Sequence, residues 1–388
     1  MIAEMEAIGV DTAASGWLAD KGKLLPVRLE DVDGRAAALL KQEMLALGAD
    51  CAVHRGVAKF EDTPRPVVLL GSVRTYQHLV PRLDRQFFGL PDLGQEILAA
   101  VEAFEQPHRA LDCAGRKLTL GERTLIMGIV NLASDSFSGD GLDEVDAAIE
   151  QARRFVESGV DILDVGGEST RPGSEPVELD EELDRVLPVV EALAEEFEAV
   201  VSVDTSKPEV AEMAVAAGAC MINDVTGLRS TRMIESVLRS GAAACVMHMQ
   251  GTPEEMQQNP TYEDMMSEVY GFLADRIDAA VAAGVERGRL VVDPGFGFGK
   301  TVDHNLEMLR RLREFRSLGV GLMIGTSRKS TIGAVLDRPV GERLMGTAAT
   351  CAVAIANGAD IIRVHDVKEM VEVARMTDAI VHGRLGEP

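Results

Sequence analysis

One repeated texture constrains this chain more than any other feature. Eight short apolar runs each end in polar or glycine residues, and each is followed by helical apolar spacing. The runs are LIMGIVN (125–131), VDILDVGG (160–167), AVVSVDTS (199–206), CMINDVTG (220–227), AACVMHMQG (243–251), LVVDPGFGFG (290–299), GLMIGTSRKS (321–330) and DIIRVHD (360–366). Near-continuous β-rich apolar runs are what a parallel sheet covered on both faces requires. The intervening segments, such as 145–159 and 338–358, have the spacing of helices that would cover it. Alternation alone also fits a doubly wound sheet. The placing of the polar residues favours a (β/α)8 TIM barrel, which needs ~250 residues and brings all eight C-terminal strand ends to one rim. The fold class is therefore α/β, with the barrel preceded by a small mixed α/β N-terminal domain.

Residues 1–118 form that first domain in this reading, and 119–388 the barrel. Within the first, 25–29, 51–53 and 65–71 are strand-like. A helix over 34–48 closes at Gly48, and two more follow near 73–85 and 93–105. LDCAGRKLTLG (111–121) reads as a short hairpin with a glycine turn. The first domain shows no catalytic constellation: His54, Arg55 and RLDRQFFG (82–89) read as surface and packing residues.

Composition excludes several classes. With 388 residues, 46% hydrophobic and 26% charged, there is material for a sizeable core. No apolar run approaches the ~18–20 residues of a membrane span. Glu4 and Glu6 stand where a secretory leader would be basic, so a cytoplasmic protein is expected. Asp and Glu number 63 against 39 Lys and Arg, and a net charge of −24 disfavours nucleic acid and anionic lipid as partners. The excess is uneven: residues 1–120 carry 14 basic and 17 acidic residues, leaving 25 and 46 for 121–388. An anionic small substrate must then be held by a local basic cluster. Five widely spaced cysteines without a CxxC pair fit reduced, buried thiols rather than disulfides or zinc ligands.

The strand ends offer Asn131, Asp135, Thr170, Arg171, Asp204, Asn223, Met247, Asp293, Phe298, Ser327, Lys329, Arg363 and His365. An Asp after a strand is often only a helix cap, but polar groups converging in a barrel mouth need a partner or a ligand. Asp204, Asn223 and Asp293 suit the donor–acceptor edge of a heterocycle. Arg363 and His365 leave one strand on the same face and suit a phosphate or diphosphate. PGFGFGKT (294–301) imitates a phosphate-binding loop, but that pattern needs glycine where Pro294 stands. Its glycines more readily let the backbone approach a flat ligand and expose Phe298. His248 lacks partners at ligand spacing and reads as a packed residue. The small residues of 346–359 read as a close-packed helix or an oligomer face.

In order and spacing, these segments resemble the dihydropteroate synthase family. The resemblance rests on MGIVNLASDSFSGDG (127–141), GGESTRPGS (166–174), SVDTSKPEV (202–210), NDVTG (223–227), MHMQGTP (247–253), DPGFGFGK (293–300), GTSRKS (325–330) and RVHDVKE (363–369). It implies condensation of p-aminobenzoate with 6-hydroxymethyl-7,8-dihydropterin diphosphate, giving 7,8-dihydropteroate and pyrophosphate, with Mg2+ as cofactor. Asp204, Asn223, Met247, Asp293 and Lys329 would then bind the pterin. Asn131, Arg363 and His365 would face the diphosphate, Asn131 lending an oxygen to the metal. Thr170, Arg171, Pro172, Phe298 and Ser327 would bind p-aminobenzoate, with the helix after Ser327 seating its carboxylate. Asp135, Lys329, Arg363 and His365 would be catalytic, in a displacement of strong SN1 character, with Asp135 facing the developing cation. Loops 132–141 and 168–175 would close to exclude water, and the resemblance also implies a homodimer. Ala133 and Ser134 replace a Thr-Pro-like pair usual in the family, which puts loop closure in question. Longer family members carry an N-terminal extension of this kind. Two other readings remain: a pterin-dependent methyltransferase passing a methyl group to a corrinoid, and a non-catalytic pterin binder.

Overall fold

The computed structural model describes residues 2–106, 108–132, 141–168, 177–252 and 255–383. By the density of its internal contacts the chain divides into two units, residues 1–106 with 317–319, and residues 107–316 with 320–388.

In the first unit, β1 (Leu24–Val32), β2 (Asp50–Ala52) and β3 (Arg65–Ser72) make an antiparallel sheet in the order β1-β3-β2. Helices Gly34–Ala46, Val73–Leu83 and Leu90–Glu105 lie where the apolar spacing places them. Each start has a local cause: the Asp33 side chain accepts from the Arg35 amide, and Ser72 and Thr75 form a reciprocal capping box. Leu40, Met44, Leu69, Tyr76, Leu79, Leu83 and Ile97 are buried together. Helices Ile2–Ala7 and Thr12–Gly22 have no clear signal in the sequence pattern. The second is rich in Gly, Ser and Thr, weak helix formers, and begins where Asp11 accepts from the Ala13 amide at 2.8 Å.

The second unit opens with a hairpin, β4 (Arg109–Cys113) and β5 (Arg116–Leu120). Eight parallel strands follow: β6 (Leu125–Asn131), β7 (Ile162–Gly166), β8 (Val200–Asp204), β9 (Met221–Asp224), β10 (Ala243–Met247), β11 (Leu290–Asp293), β12 (Gly321–Ile324) and β13 (Ile361–Val364). They close into a barrel in chain order, with β13 pairing β6. Each apolar run of the sequence supplies one strand.

Residues from all eight strands share one buried cluster, which only the barrel interior allows. Leu125, Ile162, Val200, Met221, Ala243, Val291, Met323 and Ile361 meet there, and Leu111, Cys113 and Leu120 of the hairpin join them. Most of these strand residues stand at or near the start of their strand, so the hairpin plugs the N-terminal end. The seal is close: a Cβ on Gly321 would lie 2.7 Å from the Leu120 side chain. Because side chains alternate along a strand, residues two and four further on also point inward, toward the open end. Among the described residues no helix is long and apolar enough to cross a membrane.

Candidate active site at the barrel mouth

Stepping two residues up from the plug gives Asp164 on β7, Ser202 on β8, Asn223 on β9, Cys245 on β10, Asp293 on β11 and Arg363 on β13. Two more give Asp204 and Met247, and His365 beyond the end of β13. Asp164, Asp204, Asn223 and Asp293 are at most 7% exposed. The Arg363 fork ties two of them together, Nε donating to Asp164 Oδ2 and Nη2 to Asp204 Oδ2, both at 2.6 Å. Asn223 Nδ2 donates to the same Asp164 oxygen at 3.1 Å. The second oxygens, Asp164 Oδ1 and Asp204 Oδ1, are buried without a hydrogen-bond partner, as is Ser202 Oγ. Buried acceptors left unpaired are costly, and they mark this end as built for a donor that the protein does not itself supply.

The charges answer to this burial. Burial pushes the Asp204 carboxyl up to about 7 against the pull of Arg363, and raises Asp293 against Lys329. Against the cost of burial, Asp164 and Asp204 hold the Arg363 guanidinium above its ordinary value. Burial draws the Lys329 ammonium down to about 8, with Asp293 opposing.

Lys329 belongs to the segment after β12. Its Nζ donates to the Phe296 carbonyl and stands 4.2 Å from the centre of the Phe298 ring. Phe298 packs against Val225, Met247, Met249 and Met256. Ser327 Oγ accepts from the His365 amide at 3.2 Å and lies 3.0 Å from its Nδ1. Arg328 has φ +58°, uncommon for a residue with a side chain, and its guanidinium grips Asp366. That grip binds the segments carrying Ser327 and His365 to each other.

Asn131 ends β6 and is half-buried. Asp135, Thr170, Arg171 and Pro172, like Ala133 and Ser134, lie outside the described residues. Just before 169–176, Lys207 binds both Glu168 and the buried Glu182. Glu182 also accepts from Thr205 at 2.7 Å. Asp164 and this Lys207 cluster are missed by a sequence reading that looks only at strand ends. A signal exists for Asp164: it is a carboxylate inside an apolar run that must be buried on both faces. No group of three or more His, Cys, Asp or Glu among the described residues could hold a metal ion. A Mg2+ site can nevertheless use one or two protein oxygens with substrate phosphates and water completing the octahedron. A single hard amide oxygen such as that of Asn131 fits that donor set.

Comparison with known proteins agrees. Residues 127–365 match the model of the pterin binding enzyme family. The dihydropteroate synthase of Escherichia coli K12 is 45% identical over 260 residues, which cover 67% of this chain and 92% of that protein. The chain belongs to the dihydropteroate synthase family. It is thus a transferase of folate biosynthesis, joining p-aminobenzoate to the pterin diphosphate with release of pyrophosphate; the methyltransferase reading is not favoured. The solved Yersinia pestis dihydropteroate synthase with a sulfonamide drug has a TM-score of 0.67 at 44% identity, covering 70% of this chain and 98% of that one. The Xanthomonas albilineans enzyme with 4-aminobenzoic acid gives 0.66 at 44% identity, covering 72% and 100%. A probable bifunctional folylpolyglutamate synthase/dihydropteroate synthase of Haloferax volcanii is 40% identical over 352 residues, 88% of this chain and 41% of that protein. That match is too long to fit within residues 107–388, so the family resemblance there reaches into the first unit.

Proposed function

We propose a division of labour for the reaction within this mouth. Asp204, Asn223, Asp293 and Lys329, with Met247 against the ring, hold the pterin. Asp164 and Asp204 turn their unpaired oxygens to its N–H donors, and those two oxygens are the observation that carries the reading. Arg363 and His365 face the diphosphate: Arg363 Nε and Nη2 are committed to carboxylates, and Nη1 is offered to the leaving group. Phe298 and Ser327, with Thr170, Arg171 and Pro172, receive p-aminobenzoate, an assignment supported by the likeness to the Xanthomonas albilineans enzyme solved with 4-aminobenzoic acid.

The bond from the pterin methylene carbon to the diphosphate oxygen breaks, its electron pair leaving with the diphosphate. The arylamine nitrogen lone pair forms the new C–N bond, and a proton leaves that nitrogen. Arg363 and His365 stabilise the charge that develops on the leaving oxygens, where fixed donors in a dry site act most strongly. Asp135 faces the cationic carbon in this reading. The Phe298 ring screens that carbon from water while leaving the arylamine in line. Mg2+, held through Asn131 and the diphosphate, would supply Lewis-acid neutralisation of the leaving group.

The test is pyrophosphate release. It should require the pterin diphosphate, p-aminobenzoate and Mg2+ together; release that ignores the arylamine would refute the reading. The reading includes a homodimer, supported by the apolar Leu336, Met345, Val353, Met376 and Ile380 that the helices Ser330–Leu336, Leu344–Ala356 and Val367–His382 expose. Sedimentation showing only a 41.6 kDa species would remove it.

A further inference from the structure

The glycine-rich segment that imitates a phosphate loop and the isolated His248 explain each other. Lys300 is 2% exposed, its side chain turned into the fold. Its Nζ lies 2.9 Å from His248 Nδ1 and donates to the carbonyls of Gly295 at 3.1 Å and Phe298 at 3.2 Å. Burial draws Lys300 down to about 7, with Asp293 opposing; in the protonated form its three N–H groups meet three acceptors. Burial first, then Lys300 and Arg229, lowers the His248 imidazole to about 2, so it is neutral and its Nδ1 can accept.

The loop has no slack around this contact. A Cβ on Gly295 would fall 1.9 Å from the His248 carbonyl oxygen, and one on Gly299 2.8 Å from that of Gln250. Tyr262 donates its hydroxyl to the Gly299 carbonyl at 2.7 Å, and Asn305 Oδ1 accepts from the Gly297 amide at 2.8 Å. Glycines at 295, 297 and 299 would leave an unheld loop with many backbone states. Burying an ammonium here is costly, and an apolar pair would pack at less cost. The return is orientation: the held carbonyl of Phe298 fixes the ring that faces Lys329.

We propose that Lys300, latched to His248, is a positioning residue for the arylamine subsite, acting through the backbone of Phe298. This rests on the assignment of Phe298 to p-aminobenzoate. Lys300 itself meets no substrate; it sets where the ring stands before substrate arrives.

Lys300→Met keeps an unbranched side chain one atom shorter and removes the donors. The KM for p-aminobenzoate should rise on the order of 10–100-fold, the scale of an ångström-level misplacement. The kcat at saturating arylamine and the calorimetric Kd for the pterin diphosphate should move by no more than about threefold. Lys300→Met/His248→Leu separates positioning from packing, because it removes the His248 acceptor along with the donor and leaves only the Gly295 and Phe298 carbonyls without theirs. The thermal midpoint should recover in part in the double variant while the KM defect persists; recovery of KM would overturn the proposal. Should Lys300→Met fail to fold, the double variant decides alone. The unaltered protein gives a further reading: amides 295–299 should resist hydrogen exchange before p-aminobenzoate is added, and protection acquired only afterwards would count against a preset latch. Phe298→Leu is the control on the parent assignment. If it leaves the arylamine KM unchanged, the placing of Phe298 fails; if it raises KM while Lys300→Met does not, the latch fails.

Discussion

The two ends of the barrel interior both bury their side chains and are chemically opposite. At the plugged end Leu111, Cys113 and Leu120 are at most 1% exposed and cluster with apolar side chains from the strand starts. At the mouth Asp164 and Asn223 are also buried, yet Asp164 accepts from both Arg363 and Asn223, with a carboxylate oxygen left over. Depth of burial therefore does not distinguish a core from a site. What distinguishes them is whether the buried atoms are satisfied within the protein, since an unsatisfied polar atom costs stability unless a ligand repays it. Along β8 the change takes four residues, from Val200 through Ser202 to Asp204.

Substitutions should fall on one side of this contrast or the other. The largest effect on turnover belongs to the mouth: Lys329→Ala should cut it on the order of 100–1000-fold, as for a lost electrostatic contact to the reacting groups. Its thermal midpoint should hold, because the side chain leaves the rim rather than the packed layers. A variant that unfolds early yet turns over normally would erase the distinction. At the plug, Gly321→Val should do the reverse. The added methyls meet Leu120 and Val291 and should cost ~1–3 kcal/mol of stability, with catalysis per folded molecule little changed.

A finer test uses pH. Asp204 has a folded carboxyl near 7, above the ordinary carboxylate value, so the folded state binds this proton more tightly than the unfolded chain. Its contribution to folding is therefore fully present only below pH ~4 and is lost as pH rises toward 7. Asp204→Asn should flatten the stability profile across that window, most visibly at its upper end. A profile identical to that of the unaltered protein would show that Asp204 does not titrate there.

Much of this was legible in the residues. The eight runs 125–131 to 360–366 each became a strand because a parallel strand covered on both faces needs continuous apolar residues, and little else in a sequence does. The order of motifs also pointed to the family, and Asp204, Asn223, Asp293 and Arg363 do meet in one cup. Asp164 was hidden by its position in mid-run, where only the inward register of Ile162 and Asp164 reveals that it faces the same space as Asp204. Lys300 was hidden more thoroughly, because its partner His248 lies 52 residues away and neither is informative alone.

Local chemistry, then, was set by the chain itself: beyond the first two helices, strand, helix, cap and turn follow from periodicity and residue type within a dozen positions. Which charges share a desolvated space was decided only when the barrel closed. Arg363 reaches Asp164 across 199 positions and Asp204 across 159. Coulombic coupling and the loss of water depend on distance in space, which no one-dimensional pattern carries.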